Sequence, residues 1–166
     1  MVQVRTAVQA DRDAIRAVHL AAFPTAVEAD LIEALARDGD LAISLVAEAE
    51  GAVVGHIVLS PMQVRADGVA VFAFGLGPVA VLPERQGAGV GAALIEAGVA
   101  AAKASGAALL FVLGDPAYYG RFGFDPAEAA TFASPYAGPY FMALRLSGER
   151  AAAGNADYAP AFAELG

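Results

Sequence analysis

An apolar run from Phe72 to Leu82 stops at Pro83, and the turn Pro83-Glu84-Arg85-Gln86 follows. Three glycines at alternate positions, Gly87, Gly89 and Gly91, then open an alanine-rich stretch, GAALIEAGVAAAKA. The run reads as a strand and the alanine-rich stretch as a helix. A glycine turn that opens a helix leaves bare backbone N–H groups pointing out of the first turn, where the helix dipole favours negative charge. The segment is therefore built to hold a phosphate, and it ties the chain to a fold in which a strand feeds a crossover helix.

The 166 residues suit one domain with a sizeable core, 1–166, in which 147–166 reads as a C-terminal extension. Apolar residues make up 58% and charged residues 17% of the chain. Much of the apolar excess is alanine, which points to close helix packing. A net charge of −8 without any Lys/Arg cluster argues against a nucleic-acid partner and favours a cationic substrate over an anionic one. The absence of cysteine excludes disulfides, Cys-ligated zinc and a thiol nucleophile, and with only two histidines no metal is expected. The N-terminal MVQVRTAVQADRD has no apolar signal core. The long uncharged stretch Gly68–Pro83 is interrupted by glycine and proline, so the expectation is a cytoplasmic protein without membrane attachment.

Val2–Val8 alternates apolar and polar residues, as a strand does. Ala10-Asp11-Arg12-Asp13 supplies capping chemistry for a helix on which Ile15, Val18, His19 and Ala22 share a face, ending at Pro24. A second helix is predicted from Thr25 to Arg37, closed by Gly39. Leu41–Ala49 and Val53–Leu59 flank Glu50-Gly51 as a hairpin, and Ala66-Asp67-Gly68 marks another turn. Val69–Leu82 reads as one long strand whose interior Gly75 and Gly77 suggest a bulge or a close backbone approach to a ligand. A helix from Gly87 to Ala104, a buried strand Ala108–Leu113, a short helix opened by Asp115-Pro116, a strand starting at Gly123-Phe124 and a last strand Pro139–Leu146 complete the pattern. Tyr158 and Phe162 are the packing residues expected of the tail. Early hairpins followed by a strand–helix–strand crossover imply a mixed α/β sheet.

Taken alone, GAGVGA also fits the dinucleotide fingerprint, with Ala92 in the last glycine place and Asp115 closing the next strand. Three features oppose a dinucleotide-dependent oxidoreductase. About half of the chain precedes the motif, Pro83–Gln86 separates the strand from the glycines, and antiparallel pairs come first. The bland alternative is a helix start whose glycines serve packing alone.

Gln86-x-x-Gly89-x-Gly91 after Val79-Ala80-Val81, followed by Tyr119-x-x-x-Gly123-Phe124, resembles the GNAT superfamily of acetyl-CoA-dependent N-acetyltransferases. The closer likeness is to a bacterial subgroup, carried by GHIVLSP at Gly55–Pro61, LGPVAVLPERQGAGVG at Leu76–Gly91, LGDPAYYGRFGF at Leu113–Phe124 and YFMAL at Tyr140–Leu144. The resemblance implies a single mixed, largely antiparallel sheet of about seven strands, splayed between the fourth and the fifth, with about four helices. It implies acetyl-CoA as cosubstrate, with the pyrophosphate on Gln86, Gly87, Ala88, Gly89, Val90 and Gly91, Arg85 as a phosphate contact, and the backbone of Val79, Ala80 and Val81 against the acetyl carbonyl. Tyr119 takes the place of the general acid, with Tyr118 beside it. The acceptor would be a small-molecule or peptide amine, and a homodimer fits the family.

An alkylammonium has a pKa near 10.4, so only about one in a few thousand is neutral at pH 7 and a base is needed. Many members of the family place a glutamate on the long strand, but Val69–Leu82 has no ionisable residue. His56, Glu28 and Asp115 are the candidates. The bland alternatives are a buried, hydrogen-bonded histidine, a solvated helix charge and a helix cap. The missing strand base also keeps open a non-catalytic acyl-CoA-binding sensor.

Overall fold

The computed structural model describes residues 2–165. The chain runs through β1 (Gln3–Thr6), α1 (Arg12–Ala22), α2 (Val27–Asp38), β2 (Ile43–Ala49), β3 (Ala52–Pro61), β4 (Gln63–Ala66), β5 (Val69–Val71) and β6 (Ala73–Val81). It continues through α3 (Val90–Ala104), β7 (Leu109–Leu113), α4 (Pro116–Tyr119), α5 (Pro126–Ala129), β8 (Phe132–Ala133), β9 (Phe141–Arg145) and β10 (Gly154–Asp157), and closes in a 3-10 turn, Pro160–Leu165.

Strand alternation decides the layers. On β2 and β3, Leu45, Ala47, Ile57 and Leu59 turn to one face and join Leu94, Ile95 and Ala102 of α3. Val46 and Val58 turn to the other and join Ile15 of α1 with Leu31, Ile32 and Leu35 of α2. The main sheet, in the order β1-β2-β3-β6-β7-β9, therefore lies between α3 and the α1–α2 pair. All its neighbours are antiparallel except β6 and β7, the pair bridged by α3.

A second sheet, β5-β4-β10-β8, replaces the expected single sheet. It arises because the long strand foreseen over Val69–Leu82 breaks at Phe72. Val69–Val71 folds back on β4 across the turn at Asp67 and Gly68, whereas Ala73–Val81 stays in the main sheet. Met62, Val64, Phe132 and Ala156 of this second layer pack with Phe111 and Phe141 of the main sheet. The rings of Phe111 and Phe141 stack 5.3 Å apart. No strand starts at Gly123-Phe124; Asp125 makes one bridge to Ala143 and then caps α5, its carboxylate accepting from the Ala127 N–H at 2.8 Å. The C-terminal segment is anchored. β10 pairs with β4 and β8, and the Asp67 carboxylate accepts from the N–H groups of Ala152 and Ala153.

Both interior glycines have a structural reason. At Gly77-Pro78 the register of β6 slips by one residue against Ile57–Leu59, a bulge that bends the strand. At Gly75 the ring of Tyr158 occupies the space of a side chain, since a β-carbon there would stand 2.5 Å from its Cε1. Gly75→Ala is expected to cost about 1–3 kcal/mol through overpacking. An unchanged urea midpoint in that variant would contradict this packing.

Candidate active site

The parallel pairing of β6 with β7 covers only Ala73–Gly75 against Leu109–Phe111. Beyond it, β6 stays on β3 as far as Val81, while β7 follows β9 to Leu113. The two strands diverge, and the fourth and fifth strands of the sheet are the ones that part. A cleft of about 210 Å³ opens there. It is lined by Val79, Ala80 and Val81 of β6, by Gln86 and Gly91 of the glycine turn, by Tyr118 and Tyr119 of α4, and by Ala22 and Phe23 at the end of α1. Residues far apart in sequence thus converge on one hollow. Ala22 and Phe23 went unforeseen; the only local signal was an aromatic at the helix end ahead of Pro24.

The turn is built for open backbone. Pro83–Arg85 makes a 3-10 turn and Gln86 is extended. The Gln86 side chain folds back to donate to the Val81 carbonyl at 3.0 Å, holding the turn against the strand end. α3 begins at Val90, three residues later than Gly87, because Gly89 sits at φ +86 as its N-cap. A β-carbon on Gly89 would meet nothing within 4 Å, so the glycine answers a backbone angle and leaves the approach to the helix start clear. Arg85 leans toward Glu50 of the β2–β3 turn at 3.9 Å, a loose surface pair.

α4 is short and firmly capped. The Asp115 carboxylate accepts from the Ala117 N–H at 3.0 Å, so Asp115 is a helix cap. The ring of Tyr119 lies against Gly114, edge-on to Tyr118 and Phe124. Burial, with a smaller contribution from Tyr118, pushes its phenol above the ordinary value. At neutral pH this phenol is a proton donor. The Tyr118 hydroxyl lies 3.2 Å from where a β-carbon on Gly91 would stand. The Arg121 guanidinium stacks over the Tyr118 ring at 5.3 Å. Tyr158 is partly buried, and desolvation raises its phenol more strongly than that of Tyr119.

The base candidates are placed differently. Glu28 stands in the first turn of α2 with its Oε1 buried and without a hydrogen-bond partner. His56 is fully buried on β3. Its Nδ1 lies 2.9 Å from Nε2 of His19, and its Nε2 lies 2.8 Å from Oγ of Ser44. With both ring nitrogens engaged, His56 meets an amine only through other groups. Among the described residues no group of three or more His, Cys, Asp and Glu could hold a metal ion, and no helix is long and apolar enough to cross a membrane.

The electrostatics of this corner set an acid limit. Burial pushes His19 down to about 4, and burial with the neighbouring His19 pushes His56 to about 3. Asp11 accepts two hydrogen bonds from Arg5 and one from the Val8 N–H, and the Arg5 contact first of all lowers it to about 2. A group whose folded pKa is depressed binds protons preferentially when unfolded, so its contribution fades as pH falls. The histidines make the thermal midpoint decline from about pH 6.5 downward, and Asp11 steepens the decline below about pH 4. A midpoint that stays level between pH 7 and pH 4 would contradict the neutral histidine pair.

Comparison with known proteins gives the same answer as the site. Residues 3–127 match the family described as the acetyltransferase (GNAT) domain. The uncharacterized N-acetyltransferase YjhQ of Escherichia coli K12 is 38% identical over 131 residues, covering 77% of this chain and 72% of that protein. A GNAT family acetyltransferase from Brucella melitensis, solved in complex with acetyl-CoA, is 36% identical, covers 98% of both chains and superposes with a TM-score of 0.81. The E. coli N-acetyltransferase YhbS, solved with CoA, is 29% identical, covers 99% of this chain and 93% of its own and superposes with a TM-score of 0.88. With its splayed strands, glycine turn and matching sequence, this chain belongs to the GNAT family of N-acetyltransferases.

Proposed function

We propose that the chain moves the acetyl group of acetyl-CoA to a primary amine by direct attack in a ternary complex. The observation that carries this reading is the convergence of Val79–Val81, the Gln86–Gly91 turn and Tyr119 on one cleft. The pyrophosphate sits on the N–H groups of the turn and the start of α3, where dipole and open backbone favour an anion. Arg85 and Arg121 supply positive charge at the rim of a chain that is otherwise acidic; the loose Glu50 contact leaves Arg85 free to turn toward a phosphate. The thioester carbonyl lies along Val79–Val81, whose backbone N–H groups receive the developing oxyanion. Tyr119 protonates the departing thiolate. Glu28 lines neither of the two cavities, and its buried, unpartnered Oε1 is the one feature that keeps it a candidate base on the acceptor side. The Brucella and E. coli relatives, solved with acetyl-CoA and with CoA, support the choice of cosubstrate.

A calorimetric titration with acetyl-CoA and with NADH tests the cleft. Saturable binding of acetyl-CoA alone is expected; binding of NADH alone would return the glycine turn to the dinucleotide reading. A second reading, an acyl-CoA-binding sensor, is favoured by one observation: apart from Gln86 and the two tyrosines, the cleft is lined by apolar residues.

A further inference from the structure

The reaction proposed above leaves one proton without a destination. An alkylammonium must lose it before attack, and no side chain lining the cleft is a base at neutral pH. Behind the cleft wall, however, two fully buried imidazoles are hydrogen-bonded in series. His19 Nε2 meets His56 Nδ1 at 2.9 Å, and His56 Nε2 meets Ser44 Oγ at 2.8 Å.

The two ends of this chain lie at different places. His19 lies one helical turn before Ala22 of the cleft wall, and Phe23, the extended residue that caps α1, donates its N–H to the His19 carbonyl. The His19 ring stacks with that of Phe23, centroids 6.0 Å apart. His56 is the cross-strand partner of Ala80, which also lines the cleft. At the other end, Ser44 and His56 line a separate cavity of about 880 Å³ beneath α1 and α2, with Ile15, Ile32 and Leu41 among its walls.

The direction of the chain follows from its single orphan. His19 Nδ1 is buried without a partner. If that nitrogen carried the proton, a buried N–H would lack an acceptor; if it is bare, only a lone pair is unsatisfied, which costs less. The proton of His19 is therefore on Nε2 and donates to His56 Nδ1. The proton of His56 is on its own Nε2 and donates to Ser44 Oγ, whose hydroxyl hydrogen is left to point into the second cavity.

We propose that His19, His56 and Ser44 form a proton relay that takes the proton from the attacking amine and delivers it to the second cavity; the proposal rests on the N-acetyltransferase reading of the cleft. The amine N–H bond breaks and its proton travels over water, past Ala22 and Phe23 of the cleft wall, to His19 Nδ1. The Nε2 proton of His19 passes to His56 Nδ1, the Nε2 proton of His56 passes to Ser44 Oγ, and the Ser44 hydroxyl proton leaves to solvent. One proton enters and one leaves, and neither ring holds a charge. When the product has gone, the hops run in reverse: Ser44 draws a proton back from the second cavity and the Nδ1 proton leaves over water in the open cleft, so the cavity takes up a proton only for the length of the attack and the proton lost by the amine ends in solvent. Enclosure keeps both rings neutral, as a relay requires. The charged groups around it are compensated. Asp11, whose field reaches His56, is paired with Arg5, and at the rim of the cavity Arg12 pairs with Glu33, Arg16 with Asp30 and Arg37 with Asp38. All three residues are positioning residues, since none lines the small cleft.

Two measurements on the whole chain test the relay. In ¹⁵N spectra of the imidazoles at pH 7, both rings are expected to carry their proton on Nε2. Their exchange with solvent should slow roughly tenfold or more in Ser44→Ala and stay near wild type in Ser44→Thr, which keeps the hydroxyl. With an amine that the wild type acetylates, Ser44→Ala should lower kcat at pH 7 and leave KM for acetyl-CoA unchanged. The deficit should shrink as pH approaches the pKa of the amine, where the substrate arrives neutral and needs no relay. A purely structural role would leave a deficit that ignores pH. A proton on Nδ1 of either ring, exchange unaltered in Ser44→Ala, or a pH-independent deficit in an active enzyme overturns the relay alone. Failure of every amine to be acetylated overturns the reading of the cleft and takes the task of the relay with it.

Discussion

Tyr119→Phe is expected to lower kcat for amine acetylation by ~10²- to 10⁴-fold, the range of a lost general acid, while KM for acetyl-CoA stays within about twofold. The split follows from what the substitution removes. The ring keeps its packing against Gly114, Tyr118 and Phe124, so the wall of the cleft survives. Only the hydroxyl is lost, and its proton is needed when the carbon–sulfur bond breaks. A binding contact would be felt before that moment and would raise KM. Steady-state kinetics with the best amine of a panel checks this. Unchanged turnover would move the acid to Tyr118, whose hydroxyl lies beside Gly91 in the same cleft.

Gly89→Val is expected to weaken acetyl-CoA binding by roughly 100-fold or more, as the loss of two charge-assisted hydrogen bonds to a phosphate implies. The left-handed angle of φ +86 is open to glycine and strained for a β-branched residue, so the turn must rearrange and its N–H groups lose their aim. The fold should tolerate the change. The region is exposed, a β-carbon at this position has open space around it, and a single residue forced into this region costs about 1–2 kcal/mol. Calorimetry and a thermal melt of the same sample separate the two effects. Unchanged affinity would remove the turn from the binding site. Collapse of the melt would show that the turn holds the fold as well as the ligand.

The parts of the molecule governed by local chemistry were legible in the sequence. Gly39, Asp115 and the Glu50-Gly51 and Asp67-Gly68 turns are short-range devices, and each stands where its residue type predicts. The hairpin of Leu41–Ala49 and Val53–Leu59 was legible from its turn, while the faces its side chains take are seen only in the structure. The break at Phe72 was not legible, because Val69–Val71 and Ala73–Val81 are equally apolar. What separates them is the availability of β4 as a partner, a long-range fact. β10 escaped for the same reason: Gly154-Asn155-Ala156-Asp157 has little strand propensity and is held by pairing with β4 and β8. In the site, the glycine turn and Tyr119 were visible as motifs. Phe23 and Ala22 were not, since the walls they form appear only when α1 is laid across the splay. The engagement of His56 with His19 and Ser44 was equally hidden, because those residues lie 37 and 12 positions away.

Transfer of the acetyl group to an amine is tested directly by one measurement. Isotope-labelled acetyl-CoA is incubated with the protein and a panel of primary amines, and free CoA and labelled amide are quantified together. The expected result is CoA release that depends on the amine and is matched one for one by labelled amide. Acetyl-CoA that binds with no amine-dependent release across the panel would contradict catalysis and leave the chain an acyl-CoA sensor.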